Sequence, residues 1–250
     1  MQKTRKTNNR YRLFRQLLFG LTITAICAAA ETMVGADSIP YAERREKMVI
    51  NQIESRGITD PRVLSAMRTV ERHRFVPEAH REKAYFDHPL PIANDQTISQ
   101  PYIVALMTEL LKLDSGTTVL EVGTGSGYQA AVLAELVEAV YTIEIVPELA
   151  ASAGQLLDEL GYENVTVRSG DGYAGWPEKA PFGAILVTCA PPTIPGPLID
   201  QLAVGGRLVI PVGTDWQELV VIEKKKNGIS RRDVIPVRFV PMTGKARKGE

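Results

Sequence analysis

The chain has 250 residues, of which 44% are hydrophobic, and its 29 basic side chains balance 29 acidic ones. This composition is that of an ordinary globular protein with enough apolar material for one sizeable core. It argues against a disordered chain, and no fixed-period repeat is present.

The first 36 residues differ in kind from the rest. Residues 1–15 carry six Lys or Arg and no acid, and an apolar run over residues 17–30 and small residues follow. This order is typical of a secretory signal peptide, and the run is shorter than the roughly 20 residues that span a bilayer. We therefore expect residues 1–36 to be a leader outside the fold, with translation starting at Met33 or Met48 as the alternative.

Charge and cysteine content restrict the partners of the remaining chain. Removing the six basic residues and one acidic residue of the leader from the 29 of each sign leaves 23 basic and 28 acidic residues. An acidic surface disfavours nucleic acid as a partner. Of the two cysteines, Cys27 lies in the leader, so Cys189 has no partner for an internal disulfide. No Cys/His cluster has metal-ligand spacing, and we expect no metal.

Helical patterns occupy the N-terminal part of the remaining chain. One runs over residues 41–57 and ends at Gly57, and Asp60 with Pro61 opens a second. A proline-broken connection leads to a third helix over residues 102–113. We expect an N-terminal helical extension with a connection to the site over residues 37–100, a main domain over residues 101–243 and a loose tail over residues 244–250.

Short apolar runs alternate with helical segments beyond Asp114. The runs are TVLEV, AVYTIEI, VTVRSG, GAILVT and GRLVIPVG. Buried parallel strands have this pattern, which predicts a doubly wound, mostly parallel, Rossmann-like α/β sheet. Two β-rich arms around Asn227 and Gly228 predict a C-terminal antiparallel hairpin that closes the sheet.

Three glycines mark the first strand-to-helix turn, in the stretch VLEVGTGSGYQAAVL. Open α/β sheets bind ligands at such turns, and Gly123, Gly125 and Gly127 would let a ligand lie against the backbone. Their spacing departs from the dinucleotide motif G-x-G-x-x-G, and the Gly-Lys-Ser/Thr ending of a P-loop is absent. The alternative is that these glycines only allow the strand and helix to pack closely.

Two acidic positions favour a ligand. Glu144 ends the second strand about 20 residues after the glycines, where a carboxylate accepts hydrogen bonds from ribose hydroxyls. Asp171 follows the third strand and is placed to accept from an adenine amino group, with Gly172 beside it. Each acid alone is also consistent with a solvated loop. Together with the glycines they indicate an adenosine site without a pyrophosphate, which S-adenosylmethionine fits.

The segments EVGTGSG, YTIEIVPEL and GDGYAGWPEKAPFGAILVTCAPP resemble class I methyltransferases. More specifically, LPIANDQTISQPYIVALMTELL upstream, with WQELVVIEKKKNGI and VRFVPM downstream, resembles the protein-L-isoaspartate O-methyltransferase family over about residues 41–242. The resemblance implies methyl transfer from S-adenosylmethionine to the free α-carboxylate of L-isoaspartyl residues in damaged proteins or peptides. The ester would close to a succinimide, which hydrolyses partly to normal aspartate.

The resemblance also assigns roles to positions in this sequence. It places Ser99 where the substrate carboxylate meets the methyl donor, although Ser99 could instead cap the helix at Pro101. The implied substrate residues are Thr97, Ile98, Thr188 and Ala190 beside Ser99, and the implied cofactor residues are Glu121, Gly123, Gly125, Gly127, Glu144, Asp171 and Gly172. Within the cofactor set, the glycines line the methionine end, Glu121 supports their loop, Glu144 takes the ribose, and Asp171 with Gly172 meets the adenine.

One segment departs from the family pattern. The family has glycines before QTIS, whereas this chain has Ala93, Asn94 and Asp95. The conformation of this segment, and the effect of a negative charge near an anionic substrate, are left open by the sequence.

Three other functions are compatible with parts of the pattern. They are a class I methyltransferase with another small-molecule or protein acceptor, a nicotinamide-dependent oxidoreductase, and a binding module that retains only the cofactor site. Families that methylate amino groups of nucleic acids place Asn or Asp before Pro-Pro and an aromatic residue after it. Here Ala190 precedes Pro191 and Pro192, and Thr193 follows.

The leader, the source of the cofactor and the kind of substrate bear on location and assembly. The leader favours export to the periplasm, whereas S-adenosylmethionine is made and kept in the cytoplasm, so we expect a cytoplasmic enzyme with the periplasm as the alternative. We expect no stable membrane association once the leader is removed. A site that accepts a peptide needs no second subunit, and we expect a monomer.

Overall fold

The computed structural model describes residues 39–248, so the expected leader lies outside the described residues. The chain divides into two units, with the boundary between Arg44 and Arg45. Residues 39–44 are the described part of the first unit, and there the guanidinium of Arg44 lies over the ring of Tyr41. The fold and the site belong to the second unit.

The N-terminal elements follow the predicted helix signals. The second helix begins as expected, because the Asp60 side chain accepts a hydrogen bond from the Arg62 amide at 2.9 Å and Pro61 occupies the first helical position. The first helical run ends at Gly57, which has a left-handed φ of 94°. The elements are α1 (Ile39–Met48) with π-helical (Val49–Ile53) and 3₁₀ (Glu54–Arg56) turns, α2 (Pro61–Thr69), 3₁₀ turns Arg72–Phe75 and Glu78–Lys83, β1 (Leu90–Pro91), β2 (Thr97–Ile98) and α3 (Pro101–Leu111).

The rest of the chain alternates strands and helices as the apolar runs predict. Its strands are β3 (Thr118–Val122), β4 (Ala139–Glu144), β5 (Val165–Ser169), β6 (Phe182–Val187), β7 (Leu202–Gly213), β8 (Gln217–Lys225) and β9 (Gly228–Val237). Its helices are α4 (Tyr128–Ala134), α5 (Pro147–Glu159), α6 (Gly196–Gln201) and α7 (Lys245–Lys248), with 3₁₀ turns at Gly172–Ala174 and Pro177–Lys179.

These seven strands form one sheet in the order β5-β4-β3-β6-β7-β8-β9. Strands β5, β4, β3, β6 and β7 are parallel, and β8 and β9 extend the sheet as antiparallel neighbours. The doubly wound sheet with a C-terminal hairpin is therefore confirmed. The hairpin turn contains Lys226 and Asn227, and Gly228 follows at the start of β9 with a φ of 102°. Strand order reverses between β3 and β6, where ligands bind in sheets of this kind.

Apolar side chains from the central strands and the flanking helices form the core. Phe182, Leu208 and Ile210 are fully buried in one cluster on the sheet, and Tyr141 contacts Phe182 and Trp176 edge to face. Burial of a Leu or Phe side chain contributes roughly 1.5–3 kcal/mol, which holds the carboxyl ends of β3, β4 and β6 in fixed positions. Among residues 39–248, no helix is both long and apolar enough to cross a membrane.

Candidate active site

A cleft that is partly open to solvent lies at the carboxyl ends of β3, β4, β5 and β6. Residues 96–99 border it on one side, and residues 240–243 border it on another. Nine residues expected at the site line this one cleft: Thr97, Ile98, Ser99, Gly123, Gly125, Glu144, Asp171, Gly172 and Thr188. The topology thus brings together most of the expected cofactor residues and most of the expected substrate residues.

The glycine loop leaves β3 under tight steric limits. Gly123 has a φ of 98°, and a Cβ built on it would collide with the Thr188 hydroxyl oxygen. That hydroxyl lies close because it donates to the carbonyl of Gly123 at 2.5 Å. Glycine is required here on both grounds, since L side chains rarely adopt this φ and the space is filled. The backbone at the end of β3 therefore stays bare where it faces the cleft.

Glu144 is held in place by the loop that it faces. Its two carboxylate oxygens accept hydrogen bonds from the amides of Gly125 at 2.8 Å and Val146 at 3.0 Å. The residue is 5% exposed, and no cation is paired with it within the described chain. Each oxygen keeps a lone pair for a further donor, so the carboxylate is suited to a pair of ribose hydroxyls.

Glu121 lies beneath the loop and does not border the cleft. One of its oxygens accepts a 2.5 Å hydrogen bond from Thr142, whose hydroxyl also contacts that of Thr124 in the loop at 2.7 Å. Its other oxygen, Oε1, is buried and has no hydrogen-bond partner in the described part of the chain. Burial, with a smaller contribution from the charge of Glu144, raises the pKa of Glu121 to about 8, although the hydrogen bond from Thr142 lowers it. Glu121 is therefore mostly neutral at pH 7 in the folded protein.

Asp171 and Gly172 follow β5 at the cleft wall. The Asp171 carboxylate accepts hydrogen bonds from the amides of Tyr173 at 3.0 Å and Lys245 at 2.8 Å. A Cβ on Gly172 would collide with Val122 of β3. Glycine is thus needed here for packing against the sheet, and Asp171 presents its remaining lone pairs to the cleft.

The expected substrate side is formed by β2 and the end of β6. Thr97, Ser99 and Thr188 all line the cleft. The first residue before α3 is Gln100, and no side chain caps this helix, so Ser99 does not serve as its cap. The Ser99 carbonyl is instead held by the guanidinium of Arg72 at 2.7 Å.

Comparison with known proteins decides the family. A model of the protein-L-isoaspartate(D-aspartate) O-methyltransferase (PCMT) family matches residues 43–247. The chain belongs to this family. A protein-L-isoaspartate O-methyltransferase from Syntrophobacter fumaroxidans is 58% identical over 208 residues, which are 83% of this chain and 97% of the relative. Another, from Shewanella sediminis, is 52% identical and covers 93% of this chain and 97% of the relative.

Solved structures agree with this assignment. A protein-L-isoaspartate O-methyltransferase structure matches 81% of this chain and 67% of its own, with a TM-score of 0.75 and 29% identity. A Plasmodium falciparum structure of a protein-L-isoaspartate O-methyltransferase in complex with S-adenosyl-L-homocysteine matches 80% of this chain and 98% of its own, with a TM-score of 0.69 and 28% identity. The expected family and S-adenosylmethionine dependence are confirmed.

The segment that departs from the family pattern forms the tip of the hairpin between β1 and β2. Asn94 and Asp95 have left-handed φ angles of 58° and 55°. Asn and Asp tolerate this conformation better than other residues with a Cβ, which explains how they stand where the family has glycine. Asp95 is exposed and does not line the cleft.

Three predicted site residues lie outside the cleft lining. Glu121 is buried below the loop, and Gly127 precedes α4, where a Cβ would press against Leu157 at 3.2 Å. Ala190 is buried, and its backbone pairs with Val240 and Met242. The support role of Glu121 agrees with this position, whereas direct ligand contacts of Gly127 and Ala190 stay predictions.

The cleft also contains residues that sequence reasoning did not select. Cys189 lines it as a thiol, because burial, with the charges of Glu144 and Asp171, raises its pKa to about 12. Ile145 and Val146 follow Glu144 and offer an apolar wall, and Val240 and Met242 close the far side. An isoleucine directly after the residue expected to bind the ribose was a signal in the sequence for this apolar wall. The approach of residues 240–243 has no such signal, because it depends on tertiary pairing.

Replacing Glu144 with glutamine is expected to raise the dissociation constant for S-adenosyl-L-homocysteine about 10–100-fold. The substitution removes the charge that strengthens hydrogen bonds at this position, each worth about 1.5–3 kcal/mol. Isothermal titration of both proteins measures the change. Glu148→Gln, an exposed site in the first turn of α5, is the matched control and keeps wild-type affinity. Equal affinity of Glu144→Gln and wild type would refute the assigned role.

Replacing Glu121 with glutamine is expected to flatten the pH dependence of stability. The folded protein binds the Glu121 proton more tightly than the unfolded chain does. The resulting contribution to the free energy of unfolding is fully present below about pH 4.5 and is lost as the pH rises toward about 8. Relative to Glu121→Gln, the wild-type free energy of unfolding should fall by up to about 1.4 kcal/mol per pH unit between these values. Urea unfolding of both proteins at pH 5, 6 and 7 measures the difference, and parallel pH profiles would contradict it.

Proposed function

We propose that this enzyme methylates the free α-carboxylate of L-isoaspartyl residues through an alignment of substrate and cofactor in the single cleft described above. The observation that carries the proposal is the presence of Ser99 and Thr188 in the same cleft as Glu144 and Asp171. An acceptor held by the first pair would lie next to a donor held by the second pair.

The cofactor residues suit S-adenosylmethionine. Glu144 offers an ordered carboxylate to a ribose, and the bare backbone at Gly123 allows a ligand to lie against the loop. Among the described residues, none that lines the cleft has a basic side chain. The cleft therefore lacks the Lys that would bind a pyrophosphate. When bound, S-adenosylmethionine supplies a methyl group activated by its sulfonium.

The acceptor needs little activation by the protein. An α-carboxylate has a pKa of roughly 4 and is ionised at neutral pH, so no general base is required. The cleft is consistent with this, because its lining holds no histidine among the described residues and its cysteine stays protonated. The task of the protein is to hold carboxylate oxygen, methyl carbon and sulfur in line and to exclude water.

Ser99 is the residue that we assign to orient the acceptor. Its hydroxyl is free of a helix-capping role, and its backbone is fixed by Arg72. A hydrogen bond from this hydroxyl to one carboxylate oxygen would direct the other toward the methyl group. Thr97, Ile98 and Thr188 shape the same end of the cleft.

The partners that we propose are damaged proteins and peptides, with the enzyme acting as a monomer. The acidic balance of the chain without its first 36 residues disfavours nucleic acid. We propose that it acts in the cytoplasm, where its cofactor is made, and keep the periplasm as the alternative that the leader favours. Cell fractionation with N-terminal sequencing tests this, and a mature start near Glu31 or Asp37 outside the cytoplasm would overturn it.

The test of the reaction uses methyl-labelled S-adenosylmethionine and two matched peptides, one with L-isoaspartate and one with normal aspartate. We expect base-labile label on the isoaspartyl peptide alone. Label on neither peptide, with the cofactor still bound, would refute the acceptor and favour another small-molecule or protein acceptor. Retention of NAD without affinity for S-adenosylmethionine would refute the methyltransferase itself.

A further inference from the structure

Arg72 is fully buried directly behind the expected substrate side of the cleft. Its Nε donates to the carbonyl of Ala84 and its Nη2 donates to the carbonyl of Ser99, both at 2.7 Å. Among the described residues, its third nitrogen, Nη1, has no hydrogen-bond partner. The guanidinium carbon lies 4.8 Å from the ring centre of Tyr128.

The charge of this guanidinium is not balanced by an acid. Within residues 39–248, no carboxylate forms an ion pair with Arg72. Burial lowers its pKa to about 10, which still leaves it charged at neutral pH, and the side chains that oppose this shift are Tyr128 and Tyr85. A buried cation is costly unless it is paired, and carbonyl dipoles and an aromatic face offset that cost only in part.

The position of Arg72 joins the two halves of the site. The Ser99 carbonyl belongs to the segment that borders the cleft on the substrate side. Tyr128 is the first residue of α4, directly after the glycine loop, and it also lines the cleft. One unpaired positive charge therefore lies against both the segment that would hold the acceptor and the helix that follows the cofactor loop.

We propose that Arg72 is a positioning residue that holds the Ser99 peptide and makes the substrate end of the cleft selective for an ionised acceptor over a neutral one. This inference rests on the proposed function. Among the described residues, no acid pairs with Arg72. An anionic carboxylate bound at Ser99 would supply negative charge near this guanidinium. Attraction through a poorly polarisable interior is stronger than in water, and an uncharged acceptor gains nothing from it.

Anchoring alone does not account for this arrangement. Two carbonyls could be held by neutral donors at lower desolvation cost, whereas a guanidinium adds a full charge at a site with no acid. The distinguishing consequence is selectivity by acceptor charge. A residue that only supports the loop would affect charged and neutral acceptors equally.

The test measures binding of two peptides in the presence of saturating S-adenosyl-L-homocysteine by isothermal titration. Both have blocked termini, and one carries an L-isoaspartyl α-carboxylate where the other carries the α-carboxamide. Wild type should prefer the carboxylate, and Arg72→Met should reduce that preference about tenfold while its affinity for S-adenosyl-L-homocysteine stays within about twofold. Arg231→Met, which removes an exposed arginine of β9, is the control and keeps the wild-type preference.

Three outcomes separate the claims. If Arg72→Met weakens both peptides by the same factor, or keeps the full preference, the inference is wrong while the proposed function stands. If wild type itself shows no preference, the inference is also wrong, and the labelled-methyl assay with the two peptides alone decides the proposed function. If Arg72→Met does not fold, Arg72→Lys is tested in its place. This variant retains the positive charge and should keep the preference for the carboxylate peptide within about threefold. Loss of the preference in a folded Arg72→Lys protein would overturn the inference.

Discussion

A Gly123→Ala variant is expected to lose measurable affinity for S-adenosyl-L-homocysteine, by about 100-fold or more, and to lose methyl transfer with it. An L residue at a φ of 98° is strained by roughly 1–2 kcal/mol, and overpacking adds about 1–3 kcal/mol. The new Cβ would meet the Thr188 hydroxyl, which cannot withdraw without giving up its hydrogen bonds to Val122 and Gly123. The loop must shift, and its shift displaces the amide of Gly125 from Glu144.

The matched control for this variant is Gly170→Ala. Gly170 lies at the end of β5, next to the cleft, with nothing within 4 Å of an added Cβ and no left-handed φ. Titration calorimetry and a thermal melt on both variants separate loss of binding from loss of folding. Gly170→Ala should retain affinity and stability. Wild-type affinity in a folded Gly123→Ala protein would show that this glycine is there only for packing.

A Ser99→Ala variant is expected to lower kcat for the isoaspartyl peptide about 10–100-fold while the affinity for S-adenosyl-L-homocysteine changes less than about twofold. The lost hydrogen bond to an ionised group is worth about 1.5–3 kcal/mol, and it acts on the acceptor alone. The backbone of residue 99 should not move, because Arg72 holds its carbonyl and alanine leaves that bond intact. Steady-state kinetics with the labelled methyl donor measures the effect.

Ser152→Ala provides the comparison for this second variant. Ser152 lies in α5 away from the cleft, and its hydroxyl donates within the helix to the Leu149 carbonyl. Its removal should leave kcat and cofactor affinity unchanged. If Ser99→Ala turns over the isoaspartyl peptide at the wild-type rate, the hydroxyl of Ser99 has no part in the reaction.

The central sheet could be predicted from the sequence because each strand is specified locally. Runs such as residues 118–122 and 182–187 are short, apolar and bounded by turn residues, and all five predicted runs correspond to observed parallel strands. The cap at Asp60 is equally local, since it depends on one side chain and one amide two residues away. The terminal hairpin was predicted correctly, but its two-residue turn is Lys226 and Asn227, one position before the predicted Asn227 and Gly228.

The cleft could be predicted where each of its parts follows a strand. Gly123, Glu144 and Asp171 lie at or just beyond the carboxyl ends of three neighbouring strands, so the fold alone brings them together. Ser99 was reached by resemblance and not by pattern, because a two-residue strand after an irregular connection has no local signal. Whether these residues carry the roles assigned to them stays a prediction that the variants above test.

The rest depends on contacts between distant segments. Nothing around Arg72 in the sequence indicates that its guanidinium reaches the Ser99 carbonyl, 27 residues away, in full burial. The raised pKa of Glu121 likewise arises from strands packed on both sides of β3, which no single segment reveals. The approach of residues 240–243 to the cleft results from backbone pairing with Ala190.

The segment at Ala93, Asn94 and Asp95 shows what a departure from a family pattern can mean physically. Asn94 and Asp95 adopt a left-handed backbone conformation, and among residues with a Cβ they are the ones that tolerate it best. The negative charge of Asp95 is exposed and outside the cleft lining, so solvent screens it from an anionic acceptor.

The most direct test of the account is to follow an L-isoaspartyl peptide itself through repeated turnover. The peptide is incubated with this enzyme and S-adenosylmethionine, and liquid chromatography separates the isoaspartyl, succinimide and normal aspartyl forms. We predict that the isoaspartyl form disappears and the normal aspartyl form accumulates through the succinimide, only when S-adenosylmethionine is present. An isoaspartyl peptide that remains unchanged while the enzyme binds its cofactor would contradict the account.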